Sequence, residues 1–162
     1  MTISPDRHFL LRHPAHFLAL GCGTGLAAKA PGTIGTLAAL PLFGALMLLP
    51  EASHLAVIAL LFLIGIPICQ IAGNGLGVSD HGSSVWDEIV AMLLVLEFTP
   101  RHWTWWLAAF LLFRLFDIWK PFPIRQCDAR LKGGFGVMFD DLLAALYAIA
   151  LLKGLQWLMM TA

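Results

Sequence analysis

The stretch LAVIALLFLIGIPICQIA, residues 55–72, decides the fold class of this chain. It lies inside a run of 28 residues, 52–79, that contains no Asp, Glu, Lys or Arg. A helix that spans a membrane needs about 20 predominantly apolar residues. The stretch therefore predicts a long apolar helix that can cross a bilayer.

The rest of the composition agrees with this prediction. The chain is 59% hydrophobic and only 12% charged, and its mean hydropathy is +0.82, whereas about 25% of the residues of a typical soluble domain are charged. A second uncharged run covers residues 30–50, and shorter runs cover 102–113 and 142–152. These values indicate membrane association, although runs of 10–14 residues also fit the buried helices of a compact α-helical protein.

Charge and cysteine content exclude several classes of function. Ten basic residues balance ten acidic ones, so no basic surface is available for nucleic acid, and we expect no nucleic-acid partner. Three scattered cysteines without a CxxC pair predict reduced thiols, with neither a disulfide framework nor structural zinc.

The pattern of apolar runs and turn residues predicts a single domain, residues 1–162, with a variable N-terminal segment at 1–20. We expect an all-α fold, a compact bundle of about five to six helices with membrane-embedded apolar helices and polar active-site loops at one side. The glycine-rich residues 73–84 are predicted to form a loop, residues 122–137 an irregular loop, and the last helix is predicted to begin near residues 138–140.

Most charged residues are concentrated in three short segments between the apolar runs. Ionisable groups beside apolar segments are energetically costly, so they are candidates for function. Carboxylates suit a hard cation such as Mg²⁺, and Lys or Arg suit a phosphate. Thirteen of the twenty charged residues are in these segments: Lys29, Asp80, Asp87, Glu88, Arg114, Asp117, Lys120, Arg125, Asp128, Arg130, Lys132, Asp140 and Asp141.

Two acidic pairs have both a functional and a structural interpretation. Side chains of successive helical residues diverge by about 100°, so Asp87 and Glu88 would flank one metal ion or bridge two. The alternative is an acidic first turn that the helix dipole stabilises. The same two interpretations apply to Asp140 and Asp141, which are predicted to open the last helix.

The basic residues also allow two interpretations. Arg114, Asp117 and Lys120 recur every three residues and form one stripe on a helix, which is typical of an intrahelical salt-bridge ladder. The stripe leads into a glycine-containing segment with further basic residues, which instead favours a phosphate site. Lys29, just before an Ala-Pro-Gly turn, is a candidate for a second phosphate contact.

Four segments resemble one known family. PGTIGTLAALPL (31–42), VWDEIV (85–90), FRLFDIWKPFPIR (113–125) and KGGFGVMFDDLLAALYA (132–148) are similar to those of phosphatidylglycerophosphatase A, a bacterial inner-membrane lipid phosphatase. The resemblance implies a small all-α enzyme that hydrolyses the terminal phosphomonoester of phosphatidylglycerophosphate to phosphatidylglycerol and inorganic phosphate, by Mg²⁺-assisted attack of water.

The resemblance also implies roles for individual residues. The implied catalytic residues are Lys29, Asp80, Asp87, Glu88, Arg114, Asp117 and Lys120. Contacts to the substrate phosphate are expected from Lys29, Thr33, Arg114, Lys120 and Lys132. One or two Mg²⁺ ions are expected on Asp80, Asp87, Glu88, Asp117, Asp140 and Asp141.

The implied setting is the bacterial cell inner membrane, with the lipid substrate and the bilayer as partners and a homo-oligomer left open. Five basic residues between positions 114 and 132 favour a cytoplasmic active site. Two alternatives belong to other classes. A CDP-alcohol-type phosphotransferase is suggested by Asp128-Ala129-Arg130 followed by Asp140 and Asp141, but the Asp-Gly that should precede Ala-Arg is absent. A non-enzymatic membrane transporter or ion-binding protein would use the same charges as a pathway.

Overall fold

The computed structural model describes residues 3–161, and within that range it contains helices and no strand. The predicted all-α fold is therefore confirmed. One 3₁₀ segment, Gly21–Leu26, lies between the second and third helices. The α-helices are α1 (Arg7–Arg12), α2 (Pro14–Ala19), α3 (Pro31–Leu46), α4 (Glu51–Leu76), α5 (Trp86–Glu97), α6 (Trp103–Trp119), α7 (Ile124–Arg130) and α8 (Gly133–Thr161).

Helix α5 forms the centre of the bundle. It contacts α3, α4, α6 and α8, and eight of its twelve residues are buried. A helix that is apolar on all sides is stable only when neighbours cover it. The first turn of α5 is the exception, because it carries Asp87 and Glu88. The most buried helix of the fold thus places two carboxylates at one end of the core.

Two of the surrounding helices are long and apolar enough to cross a membrane. Helix α4 has 26 residues and α8 has 29, and both exceed the roughly 20 residues that a span needs. Only 28% of the most apolar window of α4 is buried by the rest of the protein. Its outer face exposes Leu55, Leu60 and Leu63. Such an apolar surface is compatible with membrane association.

Three boundaries differ from the predictions. Helix α8 begins at Gly133, about five residues before the predicted start, because the Gln70 side chain of α4 accepts a hydrogen bond from the backbone N–H of Gly134 at 2.9 Å. That bond satisfies one of the N–H groups that a helix start leaves without a partner. Helix α4 extends into the first four residues of the predicted loop 73–84 and ends at Leu76. Gly77 follows with a φ of +79°, the left-handed conformation that commonly ends a helix. Helix α7 lies inside the predicted irregular loop.

Glycine also sets the distance between α4 and α8. A Cβ atom added to Gly134 would overlap the backbone of Ile66 and Gln70 in α4. Small residues allow helix backbones to approach closely in this way. The glycine-rich residues 133–136 are therefore a helix-packing surface rather than a loop.

A buried pair joins α4 and α5 at the end opposite to Asp87. The Nδ1 atom of His54 lies 3.0 Å from Oε2 of Glu97, and its Nε2 atom lies 3.2 Å from the carbonyl oxygen of Leu49. The imidazole ring thus contacts one acceptor of α5 and one backbone acceptor that precedes α4. His54 is only 1% exposed, so its contact with Glu97 is a buried interaction that holds α4 against α5.

Replacing His54 should therefore destabilise the fold. His54→Ala is expected to lower the free energy of unfolding by about 2–3 kcal/mol, because it leaves the Glu97 carboxylate with little solvent and no partner. The measurement is unfolding in detergent micelles by titration with sodium dodecyl sulfate, followed by circular dichroism. His8→Ala, at an exposed histidine, is the matched control. A loss no larger than that of the control would contradict the role of His54.

Candidate active site

The first turn of α5 sends its two carboxylates in different directions. Asp87 faces α4 and α8, where it lines an apolar groove. Glu88 faces α3 and α6, where it contacts Thr36 and Arg114. This divergence is the one expected of neighbouring helical residues. Both residues lie in the first turn of α5, where the helix dipole stabilises negative charge, so the first-turn interpretation is confirmed and the functional one stays a prediction.

Glu88 is held by groups from two other helices. Its Oε2 atom lies 2.8 Å from Nη1 of Arg114 and accepts a hydrogen bond from the Thr36 hydroxyl at 2.9 Å. The same Nη1 atom lies 2.7 Å from Oδ2 of Asp117. Burial raises the pKa of Glu88 to about 7, while Arg114 works in the opposite direction. The intrahelical pair between Arg114 and Asp117 does form, but Arg114 also crosses to α5.

Lys120 joins three segments rather than extending the intrahelical ladder. It caps α6 with a φ of +46°, a conformation that is uncommon outside glycine. Its Nζ atom pairs with Asp140 of α8 and lies 3.4 Å from Oδ2 of Asp128 in α7. Burial works against its charge, but the hydrogen bond that it donates to Asp140 and the nearby carboxylates raise the pKa of Lys120 above its ordinary value. The ammonium group is therefore charged at neutral pH.

Asp140 and Asp141 do not open the last helix, contrary to the prediction. They lie two turns inside α8, because the helix begins at Gly133. The helix-dipole interpretation of this pair is wrong, since the dipole acts only within the first turn. Their exposed fractions are only 4% and 3%. Asp140 pairs with Lys120, whereas Oδ2 of Asp141 is buried without a hydrogen-bond partner.

Negative charge is in excess in this cluster, which we call the carboxylate cluster. Burial raises the pKa of Asp87 well above its ordinary value, and the charges of Glu88 and Asp80 act in the same direction. Seven carboxyl groups share the cluster with two cations, Arg114 and Lys120, so the acidic groups outnumber the basic ones by five. The seven are Asp80, Asp87, Glu88, Asp117, Asp128, Asp140 and Asp141.

The donors of the cluster fit a hard divalent cation. Oδ1 of Asp87 and Oδ2 of Asp141 are buried without a hydrogen-bond partner, and buried carboxylates require a cation or a donor. Mg²⁺ binds through one or two carboxylates and retains several waters. Within residues 3–161, no three Asp, Glu, His or Cys side chains already converge tightly enough to enclose an ion. The fit therefore rests on the donor chemistry and on the two oxygens without partners.

The remaining predicted residues lie at the edge of the cluster or away from its ion pairs. Asp80 is exposed and shares a pocket with Asp128 and Lys132. The Nζ atom of Lys132 donates a hydrogen bond to the carbonyl oxygen of Asp128 at 3.2 Å. Lys29 is exposed and Thr33 is half-buried, and neither side chain forms an ion pair or hydrogen bond with residues 3–161. Their phosphate-binding roles stay predictions.

Thr36 is a site residue that sequence reasoning missed. Its hydroxyl is fully buried, lies between Glu88 and the carbonyl oxygen of Gly32, and also accepts from Arg114 at 3.5 Å. A Cβ atom on Gly32 would overlap the Glu88 carboxylate. The spacing of Gly32 and Thr36 on one helix face was the available signal, although sequence alone does not show which charge that face meets.

Comparison with known proteins gives one consistent family. Residues 17–156 match the family described as phosphatidylglycerophosphatase A. The chain belongs to this phosphatase family. It is 48% identical to phosphatidylglycerophosphatase A of Haemophilus influenzae over 160 residues, which cover 97% of this chain and 98% of that protein. It is 41% identical to phosphatidylglycerophosphatase A of Escherichia coli, over 94% of this chain and 92% of that protein.

A third relative has a different name. The chain is 37% identical to a putative phosphatidylinositol-3-phosphatase of Bacteroides thetaiotaomicron, over 86% of this chain and 92% of that protein. No solved structure matches the chain.

The excess of acidic groups in the carboxylate cluster should lower the free energy of unfolding when no metal is bound. Asp141→Asn is expected to raise the free energy of unfolding by about 1 kcal/mol in EDTA, because an amide avoids the cost of burying a carboxyl group that is either ionised without a partner or takes up a proton on folding. Added Mg²⁺ should stabilise the wild type more than the variant. Thermal unfolding in detergent measures both effects.

Glu51→Gln is the control, since that carboxylate is exposed and pairs only with Arg101. If Asp141→Asn were less stable than the wild type in EDTA, the cluster would not be electrostatically strained as described.

Proposed function

We propose that this chain hydrolyses the terminal phosphomonoester of phosphatidylglycerophosphate and releases phosphatidylglycerol and inorganic phosphate. The observation that carries the proposal is the nearly full-length match to two relatives named phosphatidylglycerophosphatase A. The carboxylate cluster supports it, because carboxylates can hold a divalent cation and the neighbouring Arg114 and Lys120 can bind a phosphate.

The proposed cofactor is Mg²⁺. Asp87 and Asp141 are the first candidates to hold it, because each has a buried oxygen without a partner. The other candidate ligands are Asp80, Glu88, Asp117 and Asp140. When bound, Mg²⁺ polarises phosphoryl oxygens and lowers the pKa of a coordinated water.

Arg114 and Lys120 are proposed to bind the phosphate. Arg114 uses Nη1 for both of its carboxylate partners, and its buried Nε atom has no hydrogen-bond partner. A guanidinium group can therefore keep its position through Nη1 while its remaining N–H groups face a phosphate. Lys120 is fixed by Asp140 and Asp128. Lys29 and Lys132 are proposed to add phosphate contacts from the edge of the site.

These positions suit the charge that develops during hydrolysis. Water adds to the terminal phosphorus while the bond from phosphorus to the glycerol oxygen breaks. Charge then accumulates on the phosphoryl and leaving oxygens, where fixed cations are most effective. The leaving oxygen takes a proton, so the products are a lipid alcohol and inorganic phosphate.

The proposed setting is the bacterial inner membrane, with the site on the cytoplasmic side. Helices α4 and α8 would span the bilayer, and the acyl chains of the substrate would stay among apolar residues. Five basic residues between positions 114 and 132 favour the cytoplasmic side. The relative named as a putative phosphatidylinositol-3-phosphatase makes a phosphoinositide the competing substrate, which is also a lipid phosphomonoester.

The test is phosphate release from phosphatidylglycerophosphate in detergent micelles by purified wild type and Asp87→Asn, each with Mg²⁺ and with EDTA. We expect Mg²⁺-dependent release that falls at least about 100-fold in the variant, since a metal ligand supplies several kcal/mol of transition-state stabilisation. Phosphatidylinositol 3-phosphate is the comparison substrate, and Asp6→Asn, outside the cluster, is the control variant.

Three results would contradict parts of the proposal. Release that survives both EDTA and Asp87→Asn would remove the metal mechanism. Preferred hydrolysis of phosphatidylinositol 3-phosphate would mean that a phosphoinositide, rather than phosphatidylglycerophosphate, is the substrate. Absence of release from either lipid would favour the ion-binding alternative, and release of CMP from a CDP-lipid would favour the phosphotransferase.

A further inference from the structure

An apolar groove runs between α4, α5 and α8. Its volume is about 380 Å³, which lies within the range of small-molecule sites in proteins. Ten of its eleven lining residues are apolar, and the exception is Asp87. The walls include Ile58 and Phe62 of α4, Val90 and Leu94 of α5, and Leu142 of α8.

The polar end of this groove is the carboxylate cluster itself. Oδ1 of Asp87 is buried and has no hydrogen-bond partner, so the groove ends on a group that requires a cation or a donor. Asp141 and Asp140 lie next to it, and their charges act on the same region. A molecule that fills the groove therefore needs an apolar body and a polar group at one end.

The other side of the groove opens at the apolar surface of α4. Leu55 and Leu63 line the groove and are 48% and 60% exposed. Ala59, between them, is also exposed. Helix α4 is the less buried of the two helices that can span a membrane. A chain within the hydrocarbon layer can thus reach the groove from the side without crossing water.

We infer that this groove holds one acyl chain of the lipid phosphomonoester that the cluster hydrolyses. The inference rests on the proposed function, and it assigns a binding site to the acyl chain, the part of the substrate that hydrolysis does not change. Because Asp87 belongs to both the groove and the cluster, a bound chain would fix the depth at which the phosphate meets Arg114 and Lys120.

A second apolar groove, between α3, α4 and α5, is a weaker candidate. It is larger, at about 700 Å³, and its walls include Ala38, Pro41 and Leu93. No carboxylate or basic side chain lines it. A chain placed there would have no charged group of the cluster at its end, so the groove that contains Asp87 is the one assigned to the substrate.

A substitution that fills the groove tests whether binding of the acyl chain can be lost while hydrolysis of the phosphomonoester is kept. Ala59→Trp places a large side chain at an exposed position in the groove, where the core does not have to move. We expect kcat/KM for long-chain phosphatidylglycerophosphate to fall at least tenfold. Hydrolysis of the deacylated, water-soluble head group should change less than twofold. Ala150→Trp, at an exposed alanine of α8, should change neither by more than twofold.

Two results of this experiment would overturn the inference. An unchanged kcat/KM for the long-chain lipid would show that the groove is not used. An equal loss for the lipid and for the deacylated head group would show that the substitution damages the site rather than excluding a chain.

A binding experiment tests the same inference without catalysis. The probe is phosphatidic acid with a photoreactive diazirine in one acyl chain, bound to wild type in detergent. We expect cross-links at Ile58, Phe62 and Leu94, which line this groove and not the second one, that unlabelled phosphatidic acid removes and phosphatidylcholine does not. Competed cross-links confined to residues 38–49, or the absence of competed cross-links, would contradict the assignment. Competed cross-links in the groove, in a protein that releases no phosphate, would support the chain site and reject the proposed function.

Discussion

The excess of buried negative charge beside α5 is the constraint on which the rest of the structure depends. Like charges that are removed from water repel one another, and each lacks the hydration that would stabilise it. Arg114 and Lys120 offset only part of this charge, and they do so as clamps that join α6 to α5, α7 and α8. The site is thus held together by its own cations and remains open to a further one.

The apolar bundle supplies the stability that such a site needs. Helix α5 contacts five other helices, α2, α3, α4, α6 and α8. Glycine allows the backbones of α4 and α8 to approach at Gly134, and it makes room for the Glu88 side chain at Gly32. At the opposite end, His54 joins α4 to Glu97 of α5. Proteins commonly lose stability at functional sites and recover it through packing elsewhere. In this fold, the end of α5 that carries Asp87 and Glu88 is costly to bury, and the end that carries Glu97 is stabilised by its contact with His54.

The sequence predicted the fold class and most of the cluster, because both depend on local pattern. Apolar runs identify the long helices, and charges between such runs are costly enough to mark a site. The sequence could not predict the start of α8, because that start depends on Gln70 of another helix. The partners of Lys120 were also beyond prediction, because they depend on how α6, α7 and α8 cross. Thr36 was missed for the same reason. Lys29 and Thr33 stay predictions, because they make no ion pair or hydrogen bond with the described residues.

The carboxylate cluster is proposed to bind a divalent cation, because Arg114 and Lys120 compensate only part of its acidic groups. The most direct measurement is electron paramagnetic resonance of Mn²⁺ titrated into the purified protein, since Mn²⁺ prefers the same oxygen ligands as Mg²⁺. We expect one or two bound Mn²⁺ per chain, displaced by Mg²⁺ and largely lost when Asp87 and Asp141 are both replaced by Asn. Mn²⁺ that remains fully free in the presence of the wild type, or binds equally to the double variant, would contradict it.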